Sequence, residues 1–159
     1  MDRQSVAIYL RNHEAAAQAG RDLFRRTAAN QRDRPYAGEL TELATEIEED
    51  LQTLRAIMRA VRVSPDLVQG LALRVGERVG RLKPNGQLLR RSPLSDLIEV
   101  EALVVAVRAK SAGWQALSGV PAPGWSDVAD TQVLYERALD QAERLNAIHR
   151  QVAGRVFTA

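Results

Sequence analysis

The 159-residue chain contains no cysteine, which excludes disulfides, thiolate metal sites, thiol nucleophiles and iron–sulfur clusters held by the protein. It has two histidines, His13 and His149, too few for helical metal centres built from three or more imidazoles. Aromatic residues make up only 4% of the chain, so its core must be assembled from small and medium aliphatic side chains. Lysine is almost missing too. Only Lys83 and Lys110 accompany the arginines among 22 basic residues, a habit we read as that of a GC-rich coding sequence rather than a phosphate-binding signal. No apolar run approaches the ~20 residues of a membrane span. Met1-Asp2-Arg3 opens directly into amphipathic sequence, so neither a signal peptide nor a membrane span is expected and the expected compartment is the cytoplasm. The net charge of +2 does not mark the whole chain as a polyanion binder. Gly-x-Ser-x-Gly, P-loop, dinucleotide and His-Glu-x-x-His signatures are all missing.

What remains is helical periodicity. Apolar residues recur at steps of three and four from about residue 3 to 30, through Leu10, Ala17, Leu23 and Phe24. Within this stretch, Ala15-Ala16-Ala17 and Ala19-Gly20 remove side-chain bulk and invite a close neighbour. A polar break ends at Pro35. A second helix is predicted over 36–63 on Leu40, Leu43, Ile47, Leu51, Leu54 and Ile57. Ser64-Pro65 signals a third, shorter helix over 65–82, weakened by Gly70, Gly76 and Gly80, and Lys83-Pro84-Asn85-Gly86 reads as a turn. Ser92-Pro93 repeats the serine–proline start for a helix over 93–117, whose middle from Leu97 to Val107 is apolar nearly all round and therefore expected to be buried on most sides. After the Pro/Gly loop 118–124, Ser126 or Asp127 is expected to cap a last helix over 127–156.

Nothing alternates with period two for long enough to form a strand. The predicted fold is all-α, a single domain over 1–159 in which four long helices bury their apolar stripes together. Short links suit antiparallel neighbours within the first and last pairs. About thirty residues lie between the second and third long helices, enough to travel the ~38 Å of a 25-residue helix. That permits an up-down-down-up bundle with one long crossover, the ferritin-like connection.

A di-metal centre in such a bundle takes a glutamate from each of two helices and a Glu-x-x-His pair from each of the others. The carboxylates are partly present, but neither Glu46 nor Glu49 nor Glu143 is followed by histidine at the third position. Were iron or manganese to bind, the ligands to test are Glu14, Glu46, Asp50, Glu101, Glu143 and His149. Glu101 stands among Leu97, Ile98, Val104 and Val105, where an unpaired charge is costly; it is expected to pair with an arginine or to reach a helix edge. His13 and His149 both fall on inner faces, and the first and last helices of a bundle could bring them together. The one local charge excess lies in residues 63–92, where six basic residues face two acidic ones. It could meet phosphates, but no aromatic residue interleaves the arginines to stack bases, and nucleic acid is not an expected partner.

The run Leu82-Lys83-Pro84-Asn85-Gly86-Gln87-Leu88-Leu89-Arg90-Arg91-Ser92-Pro93-Leu94-Ser95-Asp96-Leu97, with Tyr9-Leu10-Arg11-Asn12-His13-Glu14-Ala15, Glu46-Ile47-Glu48-Glu49-Asp50, Lys110 and Trp114, resembles an uncharacterised family of small helical proteins from actinobacteria. The resemblance covers most of the chain and implies a ferritin-like bundle without an assigned activity. The expected class is therefore a non-enzymatic bundle acting through binding or assembly, without cofactor. The alternatives are a degenerate di-metal oxidase or metal-storage protein holding iron or manganese, and a binder of anionic surfaces or nucleic acid through the basic crossover. A homodimer is expected from apolar residues that one bundle struggles to use: Leu67, Leu71, Val75 and Val79 in the crossover, Leu88, Leu89 and Leu94 beyond it, and Trp125 in the Pro/Gly loop.

Overall fold

A computed structural model of the chain describes residues 2–65, 92–120 and 124–158. These form four helices, α1 (Arg3–Asn30), α2 (Ala37–Ala60), α3 (Pro93–Ser118) and α4 (Thr131–Phe157), and no strand occurs among the described residues. The helix expected over 65–82, the turn at 83–86 and the basic residues between Arg74 and Arg91 lie outside the described residues.

The helix ends show why the boundaries fall where they do. Asp2 caps α1 by accepting from the Gln4 amide at 3.0 Å. α2 stops at Ala60 rather than 63 because Arg62 takes a left-handed conformation, φ 59°. The Arg62 amide then donates to the Arg59 carbonyl and the Val63 amide to that of Met58, the double bond that closes many helices, here without glycine. Pro93 opens α3 behind Ser92, whose side chain makes no capping bond. α4 begins at Thr131, not 127, because its cap is Asp130, whose carboxylate accepts from the amides of Gln132 and Val133. The intervening residues instead turn Trp125 inward until it is 2% exposed, plugging the end of the bundle. Gly124 permits this at φ 117°, a conformation that other residues rarely adopt.

Pairs between helices fix the topology. Glu14 with Arg55 and Arg25 with Glu48 set α1 antiparallel to α2. Gln31 with Asp96 and His13 beside Gly113 set α1 antiparallel to α3. Asp96 with Arg155 and Glu101 with His149 do the same for α3 and α4, and Glu39 with Arg144 and Glu49 with Arg137 for α2 and α4. Around the bundle the order is therefore α2, α1, α3, α4, with α2 and α3 parallel across the diagonal. This is the up-down-down-up arrangement.

The core is not continuous. One apolar cluster joins Phe24, Leu40, Leu43, Leu103, Leu145 and Val152. A second gathers Leu10, Ile57, Met58, Trp114, Trp125 and Leu134 at the other end. Between them lies a layer of buried polar side chains.

Candidate functional site

The layer is built by Asp50 on α2, Lys110 on α3 and Gln141 on α4. Asp50 is 3% exposed and Gln141 wholly buried. Lys110 reaches across the bundle diagonal to donate to both the Asp50 carboxylate and the Gln141 side-chain carbonyl. Gln141 Nε2 in turn donates to Glu46 at 2.8 Å and approaches Asp50 Oδ2 at 3.4 Å. Arg137 closes the group, 2.8 Å from Glu49 and 3.4 Å from Asp50 Oδ1. Burial holds the Lys110 ammonium below the ordinary lysine value, and the attraction of Asp50 only partly offsets it. For Glu46 the balance goes the other way. Burial raises its pKa, but hydrogen bonds from Arg144 and Gln141 outweigh that and hold the carboxyl below the ordinary glutamate value.

The candidate metal ligands are dispersed by these pairings. Glu14, 2% exposed, receives Arg55 at 2.8 Å and the amide of Gln18, also at 2.8 Å. Glu46 is held by Arg144 at 2.6 Å and shares Gln141 with Asp50, so these two candidates do come together. Glu101 does not sit buried on an apolar face: its side chain is 54% exposed and meets His149 Nε2 at 3.1 Å. Glu143 is exposed and pairs with Arg150 at 3.3 Å. His13 and His149 are not brought together. His13 lies against Gly113 and His149 against Glu101, about 18 Å apart along α3 at 1.5 Å per residue. Among the described residues, no group of three or more acidic or histidine side chains is placed to hold a metal ion. No described helix is long and apolar enough to cross a membrane.

The seam between α1 and α3 is the other distinctive feature. Ala16, Ala19 and Gly20 on α1 face Ala102, Ala106 and Ala109 on α3. Such small side chains bring the helices close; a Cβ on Gly20 would stand 3.9 Å from that of Ala106. They also leave space unfilled, and a cavity of about 650 Å³ runs along the seam, with Asp50 and Lys110 of the polar layer among its lining. One end is walled by Leu23, Phe24, Ile47 and Val107, the other by Tyr9, Asn12, His13 and Trp114. The His13 ring tilts against Tyr9, with centroids 4.4 Å apart. It lies so near α3 that a Cβ on Gly113 would be 2.8 Å from it, so only glycine fits there without displacement. Burial keeps the His13 pKa below the ordinary histidine value. The indole N–H of Trp114 is buried with no partner.

Sequence reasoning did not single out Lys110 or Gln141 as site residues. The signal was present: Lys110 is one of two lysines in an arginine chain, and it stands between Val107 and Trp114 on a core-facing stripe. The middle of α3 is buried on most sides, as expected, though not on all: Val105 is 68% exposed. The extra apolar face of α3 lines the cavity. No protein-family model, curated protein or solved structure matches the chain.

Proposed function

We propose that the protein is a non-enzymatic bundle of ferritin-like connection that acts by binding, with the cavity between α1 and α3 as its binding element. The observation that carries this reading is the cavity itself. About 650 Å³ falls within the usual range of small-molecule sites, and an apolar lining with a few polar groups is their usual composition. The commitment of the carboxylates supports the same choice. Glu14, Glu46 and Asp50 each already carry a cationic partner on another helix, and a metal would have to displace Arg55, Arg144 or Lys110 to gain a ligand.

Elemental analysis of protein purified without chelator or affinity tag tests the proposal against the di-metal alternative. Iron and manganese far below one per chain are expected. Near-stoichiometric iron or manganese, abolished in Glu101→Gln or Glu46→Gln, would overturn it.

A further inference from the structure

We draw no further inference here: the strongest candidate, the half-open apolar groove between α1 and α3 lined by Ala16, Gly20, Ala102 and Ala106, carries none, because nothing in the structure shows what covers it.

Discussion

Replacing Lys110 by methionine leaves the bundle's middle layer with a carboxylate and no ammonium. Asp50 is 3% exposed, so water cannot readily take the place of the lost partner. Removing one member of a buried ion pair usually costs about 3–5 kcal/mol. Arg137 at 3.4 Å and Gln141 at 3.4 Å remain beside Asp50, which places Lys110→Met near the lower end, about 3 kcal/mol. The converse change, Asp50→Leu, should cost less, about 2 kcal/mol. Lys110 keeps its bond to Gln141, and its burial already favours loss of the proton. Combined, the two substitutions exchange the pair for apolar volume, and the double variant should return to within about 1 kcal/mol of the parent. Urea unfolding followed by circular dichroism measures all four proteins, provided the slopes agree. These losses imply a coupling of about 4 kcal/mol between two residues in direct contact. Additive losses below about 1 kcal/mol each would refute the claim that this pair is a desolvated, mutually dependent unit.

Arg62→Gly should stabilise the protein by about 0.5–1 kcal/mol, because glycine adopts the left-handed closing conformation of α2 without the clash of a Cβ; an unchanged urea midpoint would argue against strain there. His13 lies below the ordinary histidine value through burial, so the unfolded chain binds its proton more readily than the folded one. Its contribution is present above pH 6.5 and is lost as pH falls from there through the lower folded value. In thermal melts between pH 7 and 5, His13→Leu should therefore lose less stability on acidification than the parent, and parallel curves would contradict the assignment. For assembly, a homodimer predicts a light-scattering mass of twice 17.6 kDa at micromolar concentration, while a mass fixed at 17.6 kDa across a dilution series would reject it.

The helices were legible because apolar residues recur at steps of three and four. The stripe of α2 matches its buried residues closely, whereas Val128, just before α4, and Leu139 on it are exposed, and Leu134, Ala138 and Ile148 are buried instead. The antiparallel pairs followed from short links, and the up-down-down-up order from the length of chain between α2 and α3. The boundaries that moved did so for tertiary reasons. α4 starts late because Trp125 turns into the core, and α2 ends early because Arg62 accepts a conformation that the sequence pattern assigns to glycine. Trp125 itself illustrates the limit: a tryptophan in a Pro/Gly loop is consistent with an exposed interface or a buried plug, and only packing distinguishes them. The site was harder to read. Periodicity places Asp50, Lys110 and Gln141 on inward faces but not on opposite helices at one level, which depends on the register between non-adjacent helices. The alanine- and glycine-rich stretch of α1 and the all-round apolarity of α3 each suggested close packing. Together they make a seam that their own side chains are too small to fill.

Native mass spectrometry of the full chain, purified without chelator or tag and sprayed from volatile buffer, tests the central claim most directly, because one spectrum resolves metal and organic adducts alike. A population heavier than the bare chain by a single organic ligand is expected, released by organic solvent and diminished in Ala106→Phe. A spectrum carrying stoichiometric iron or manganese and no organic adduct would contradict it.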